Sequence, residues 1–89
     1  MGKIVTALPQ IEDFLSHLQI ERRMSPHTLD AYRRDLDALA AWTMEQGVAD
    51  LSALHTEQLR AFIASEHRRG LSPKSLQRRL SACRSFYLW

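Results

Sequence analysis

Two Ser-Pro pairs constrain the fold of this chain more than any other feature, because each predicts the first turn of a helix. Ser25 and Ser72 are suited to capping a helix, and Pro26 and Pro73 fit the first turn, where a backbone N–H is not needed. After each pair, apolar residues return every three or four positions, which is the spacing of one helix face. Gly47 then supplies a left-handed stop for the first of these helices. The chain is therefore predicted to be helical.

Start and stop signals predict four helices, which span residues 9–21, 26–46, 57–69 and 73 to the end. Pro9 is placed in the first turn of the first helix, and Thr56 and Gly70 are predicted to bound the third. Residues 48–55 form the connector, with a turn of helix around 51–54. The fourth helix meets no stop signal, so we expect the sequence to continue in a longer protein.

The chain has 89 residues, which is enough for one domain, and 45% of them are hydrophobic. Only three Gly and three Pro interrupt it, which favours an all-α fold, a small bundle of four or five helices. Its single cysteine, Cys83, excludes an internal disulfide and suits a reducing cytoplasm, and no apolar run is long enough to span a membrane. The residues predicted to face the core are Ile11, Phe14, Leu15, Leu18, Leu29, Tyr32, Leu36, Leu39, Met44, Leu59, Phe62, Ile63, Leu76, Leu80, Cys83, Phe86 and Tyr87.

Charge is distributed unevenly along the chain. Residues 1–66 carry six basic and ten acidic side chains, a sum of −4, whereas residues 67–89 carry six basic side chains and no acid, a sum of +6. A basic segment on a domain of this kind suits an anionic partner, although a solvated helix face would show the same pattern.

Motifs for catalysis or for metal and cofactor binding are not found. Four histidines are present, but none lies at a ligand-like spacing from another or from Cys83. Asp35 and Asp37 are interpreted as ordinary partners of Arg33 and Arg34 on the same helix. We therefore expect no catalytic residue, no metal and no cofactor in this chain.

Basic and hydroxyl side chains on the outer faces of the second and fourth helices are the candidates for binding DNA. Lys and Arg neutralise phosphates, and hydroxyls and helix N-termini fix the position of a protein on the DNA backbone. Arg33 and Arg34 lie near Asp30 and Asp37, whereas Arg78 and Arg84 have no acid within a turn, so the fourth helix is expected to contribute more affinity. The candidate residues are Ser25, His27, Thr28, Arg33, Arg34, Lys74, Ser75, Gln77, Arg78, Ser81 and Arg84.

Two motifs in these helices resemble those of a known family. The segment Ser25-Pro-His-Thr28-Leu-Asp-Ala-Tyr32-Arg-Arg-Asp35-Leu36 is similar to the signature that opens the core-binding domain of phage-integrase-like tyrosine recombinases. The segment Arg78-Arg-Leu-Ser-Ala-Cys-Arg-Ser-Phe-Tyr-Leu-Trp89 resembles a run late in the same domain. The order and separation of the motifs also match, and the likeness covers residues 10–89. The chain thus resembles the N-terminal domain of a Xer recombinase.

This resemblance implies a SAM-like helical bundle whose second and fourth helices face double-stranded DNA. It places the catalytic domain, with its nucleophilic tyrosine, beyond Trp89. The parent protein would cut and rejoin DNA through a 3′-phosphotyrosyl link without a cofactor. It would act in a tetramer containing two subunits each of two Xer types, and it would resolve chromosome dimers in the cytoplasm.

Three other functions remain open at this point. The chain could belong to a phage or integron integrase, which would share the fold and much of the first motif. It could instead be a helical protein-interaction module whose basic face meets an acidic partner. A helix-turn-helix transcription factor fits less well, because no short helix follows the second one across a tight turn.

Overall fold

The computed structural model describes residues 3–47 and 54–89, with side chains from Pro9 onward. These residues form four helices and no strand, so the predicted all-α fold is confirmed. The helices are α1 (Lys3–Glu21), α2 (Pro26–Glu45), α3 (Thr56–Arg68) and α4 (Pro73–Leu88). Most of the predicted connector, including the expected helical turn around residues 51–54, lies outside the described residues.

The two Ser-Pro pairs begin α2 and α4 as predicted. Ser25 and Ser72 have nearly identical extended backbone angles, and each hydroxyl accepts a hydrogen bond of 3.2 Å from the backbone N–H three residues on. These caps satisfy backbone donors that a helix start leaves without partners. The start of α3 differs from the prediction by one residue, since His55 is the capping position and Thr56 is already helical.

The prediction that Pro9 lies in the first turn of α1 is wrong. The helix begins at Lys3, so Pro9 lies inside it. A proline within a helix removes one backbone donor and crowds the carbonyl four residues earlier, but it does not prevent helical residues from preceding it. The sequence signal was therefore correct for a helix and misleading for where the helix starts.

All four helices contribute to one hydrophobic core. Two ring contacts tie distant parts of the chain together: Phe14 of α1 meets Phe86 of α4 edge-on at 5.4 Å, and Trp42 of α2 meets Phe62 of α3 at 5.7 Å. Met44 was predicted to face the core but is exposed, because it lies at the end of α2 beyond its neighbours. The buried cluster comprises Ile11, Phe14, Leu15, Leu18, Leu36, Leu39, Ala40, Phe62, Cys83 and Phe86.

Left-handed backbone conformations end two of the helices. Gly47 follows α2 with φ +78° and Gly70 follows α3 with φ +97°, so the predicted glycine stops are confirmed. The turn between α1 and α2 uses Arg23 with φ 52°, an uncommon conformation for a residue with a side chain. These turns let α2 pack against both α1 and α4, while α3 packs against α4. None of the described helices is both long and apolar enough to cross a lipid bilayer.

Candidate nucleic-acid interface

The first turn of α2 presents three of the predicted DNA-binding residues to solvent. Ser25, His27 and Thr28 are all exposed. The Ser25 hydroxyl accepts from the backbone N–H of Thr28, and the two hydroxyl oxygens lie 3.0 Å apart. A helix start of this kind offers backbone N–H groups and hydroxyls to an anion.

One stripe of α4 carries most of the predicted residues of that helix. Lys74, Gln77, Ser81 and Arg84 are exposed, and their spacing of three or four residues places them on one helix face. Ser75 lies off this face and is half-buried, with its backbone N–H bound to the hydroxyl of Ser72. The stripe therefore combines two cations with an amide and a hydroxyl that are free to meet a ligand.

Arg78 does not have the uncompensated charge that the sequence suggested. Its Nε donates to Oδ2 of Asp35 and its Nη2 donates to Oδ1, both at 2.9 Å. The hydrogen bonds that Arg78 donates to Asp35 raise the pKa of Arg78 above its ordinary value, against the opposing effect of burial. The prediction missed this partner because Asp35 lies 43 residues earlier in the chain.

Asp35 is the centre of a buried ionic cluster between α2, α3 and α4, which we call the Asp35 cluster. The Asp35 carboxylate is fully buried, and its Oδ1 also accepts from Nε of Arg79 at 2.9 Å. Nη1 of Arg79 donates a hydrogen bond to the carboxylate of Glu66, which is also buried. Glu66 pairs in addition with Arg69 at 3.3 Å. Three arginines therefore surround two carboxylates. The interpretation of Asp35 as a same-helix partner of Arg33 or Arg34 is wrong.

The Asp35 cluster could have been suspected from helical spacing. Asp35 lies one turn from Ala31 and from Leu39, both of which are buried, and Glu66 lies one turn after Phe62. Charged residues on an apolar face are rarely buried unless they are paired with one another. Spacing alone, however, gives no indication of which partners on other helices would meet them.

Arg33 and Arg34 are neighbours in the sequence, but only Arg33 forms an ion pair among the described residues. Arg33 pairs with Glu12 of α1 through both terminal nitrogens, and this contact is the main cause that raises the pKa of Arg33, with smaller attractions from Asp37 and Asp30. The expectation that Asp30 and Asp37 would be its main partners is therefore corrected. Arg34 is exposed and forms no ion pair within the described residues.

The single thiol of the chain lies in an apolar, buried setting. Cys83 is fully buried, and burial, together with the negative charge of Asp35, raises the pKa of its thiol to about 12. It is therefore a protonated thiol at neutral pH and a poor nucleophile. Among the described residues, no group of three or more histidine, cysteine or acidic side chains is arranged to hold a metal ion.

Comparison with known proteins identifies the family. Residues 11–89 match the phage integrase N-terminal SAM-like domain. The match covers nearly all of the chain, so the chain belongs to this family of helical domains. No solved structure matches it.

Several relatives have more specific names. The chain is 66% identical over 82 residues to tyrosine recombinase XerC of Xanthomonas campestris pv. campestris strain B100, and 63% identical over 79 residues to tyrosine recombinase XerC of Xylella fastidiosa strain 9a5c. These matches cover 92% and 89% of this chain but only 26% and 27% of the relatives, so the chain spans about a quarter of their length. These matches confirm the resemblance to a Xer recombinase that the two sequence motifs indicate, and the relatives are named XerC.

The burial of the Asp35 cluster predicts that Arg79 stabilises the fold strongly. Its side chain is only 11% exposed and holds two carboxylates that are almost inaccessible to water. Arg79→Ala is expected to lower the free energy of unfolding by roughly 3 kcal/mol, because buried charges lose a partner. Arg33→Ala removes an exposed ion pair and should cost at most about 1 kcal/mol. Urea unfolding followed by circular dichroism measures both, and similar losses would contradict this account.

Proposed function

We propose that this chain is the N-terminal DNA-binding domain of a site-specific tyrosine recombinase, and that it binds double-stranded DNA in a sequence-specific way. The observation that carries the proposal is the junction of α2 and α4. The Asp35 cluster fastens together two helices, each of which begins with a capped Ser-Pro turn and presents cations to solvent. Positive charge, hydroxyls and helix N-termini are the groups that bind phosphates of the DNA backbone.

Each group of side chains has a distinct role in this proposal. Lys74 and Arg84 on α4 and Arg34 on α2 neutralise phosphates, since none of them forms an ion pair among the described residues. The hydroxyls of the two helix starts fix the position of the domain on the sugar-phosphate backbone. Gln77, exposed between Lys74 and Ser81, reads a base edge in the major groove.

The relatives of this chain are named tyrosine recombinases, and on that basis we extend the proposal to the longer protein that contains the domain. A catalytic domain that follows this one would close over the opposite side of the duplex, and would cut and rejoin strands through a 3′-phosphotyrosyl link. The protein would act in the cytoplasm in a tetramer with XerD-like subunits, and would resolve chromosome dimers when chromosomes are partitioned at cell division. No metal or nucleotide cofactor is needed for this chemistry.

A second candidate function is the equivalent domain of a phage or integron integrase. The family match favours neither one, because its description covers phage integrases in general. The identity of 66% to a named XerC over most of the chain favours the Xer assignment. A protein-interaction module is less well supported, because an acidic protein partner gives no reason for two capped helix starts beside exposed cations.

The first prediction from this proposal concerns salt dependence. Lys74→Ala and Arg84→Ala should each reduce the slope of log affinity against log salt by roughly one unit and weaken binding to all duplexes alike. Arg33→Ala is the matched control and should change the slope less, because Glu12 already neutralises Arg33. Gln77→Ala should lose about 1–3 kcal/mol on one target sequence and little on others.

Titration of the full-length protein with duplex DNA at two salt concentrations makes this comparison. Equal changes for Arg33→Ala and Arg84→Ala would show that the ion pair with Glu12 does not shield Arg33. Unchanged binding for both Lys74→Ala and Arg84→Ala would show that the exposed stripe of α4 does not face DNA.

The second prediction is that this chain alone forms no covalent link to DNA. Its thiol is buried and protonated, and Tyr32 and Tyr87 are half-buried beside the core. A nicked suicide duplex traps the covalent intermediate of a tyrosine recombinase, so incubation with this chain should give no shifted band on a denaturing gel. An adduct that disappears in Tyr32→Phe or Tyr87→Phe would contradict the assignment of catalysis to another domain.

A further inference from the structure

The buried carboxylate of Asp35 needs an explanation beyond stability. Placing a charged group at a helix junction removes it from water, and apolar residues of similar size usually hold such junctions at least as well. Asp35 nevertheless accepts three hydrogen bonds of 2.9 Å from two arginines. This arrangement is specific in geometry and leaves part of each guanidinium available for a second contact.

The two arginines differ in how many carboxylates they contact and in how exposed their side chains are. Arg79 is enclosed, because Asp35 holds its Nε and Glu66 holds its Nη1, and its side chain is 11% exposed. Arg78 binds Asp35 through Nε and Nη2 only, and its side chain is 35% exposed. Within the described part of the chain, Nη1 of Arg78 makes no hydrogen bond. Arg78 therefore has a fixed inner edge and an accessible outer nitrogen.

The charge of the Asp35 cluster also favours an anion at Arg78. Asp35 does not neutralise Arg78 alone, since it shares its single negative charge with Arg79. Over the whole cluster, Arg69, Arg78 and Arg79 exceed the two carboxylates by one positive charge. Arg78 lies on α4 where that helix meets α2, and both helices carry exposed cations. An anion bound to these two helices would therefore find part of the excess charge there.

We propose that Asp35 is a positioning residue that holds the guanidinium of Arg78 so that its outer nitrogen binds a DNA phosphate. The inference rests on the proposed function and adds a residue that does not itself touch DNA. A free arginine loses side-chain freedom when it binds a ligand, whereas Arg78 has already lost it in the fold. The gain in affinity therefore comes from preorganisation. Glu66 stabilises the same cluster without contacting Arg78.

A double-mutant cycle on duplex binding tests this inference. Asp35→Asn keeps the size of the side chain and removes its charge, so it should weaken duplex binding roughly three- to tenfold when Arg78 is present. In the Arg78→Gln background the same change should have almost no effect, because Asp35 acts through Arg78. Glu66→Gln is the matched control: it removes one negative charge from the same cluster, as Asp35→Asn does, and should lower thermal stability without weakening duplex binding.

Arg78→Lys provides a second test that does not depend on the folding of the Asp35 variant. Lysine keeps the charge but cannot hold Asp35 with a planar pair of donors and still present a third nitrogen. The inference predicts that Arg78→Lys binds duplex as weakly as Arg78→Gln. If Asp35→Asn does not fold, as judged by its thermal melt, the comparison of Arg78→Lys with Arg78→Gln tests the role of Arg78 instead.

Different results would overturn different claims. Equal losses from Asp35→Asn in both backgrounds, or full binding by Arg78→Lys, would show that Asp35 is only structural. Arg78→Gln without effect, in a protein that Lys74→Ala and Arg84→Ala weaken, would overturn the inference and leave the proposed function standing. Failure of the unaltered protein to bind duplex DNA would overturn both.

Discussion

The ionic contact of Asp35 with Arg78 and Arg79 is the interaction on which the arrangement of this domain depends. It joins α2 to α4 with three hydrogen bonds of 2.9 Å, and Glu66 extends it to α3. Among the described residues no buried side-chain polar atom lacks a partner, so the cluster satisfies the groups that it buries. Because a buried ion pair tolerates little change in geometry, the contact fixes how the two helices lie together, and with them the surface that carries their cations.

Local features of the fold could be predicted from the sequence. The Ser-Pro pairs begin α2 and α4, and Gly47 and Gly70 end helices in left-handed conformations, because capping and turn chemistry depend on a few neighbouring residues. Helical periodicity likewise identified most of the core, including Phe14, Leu36, Phe62 and Phe86. Pro9 was a misleading signal for the start of α1, because proline is common at helix starts and is also tolerated inside some helices.

The partners of charged side chains could not be predicted. The six cations of residues 67–89 appeared uncompensated, yet Arg78 and Arg79 both pair with Asp35 of α2, and Arg79 also pairs with Glu66 of α3. Arg33 was assigned to acids on its own helix but pairs with Glu12 of α1. Such contacts depend on how helices pack, which spacing along one helix does not determine. The exposed residues Lys74, Gln77, Ser81 and Arg84 remain on one face as helical spacing indicated.

The central claim is that α2 and α4, held together at Asp35, form one surface that faces DNA. Backbone amide signals of the isotope-labelled chain, followed by nuclear magnetic resonance while a short duplex is added, test this claim most directly. The account predicts that the shifted signals cluster in the first turn of α2 and along Lys74, Gln77, Arg78 and Ser81 of α4, and that α1 and the exposed side of α3 change little. Shifts concentrated on α1 or α3 would contradict it.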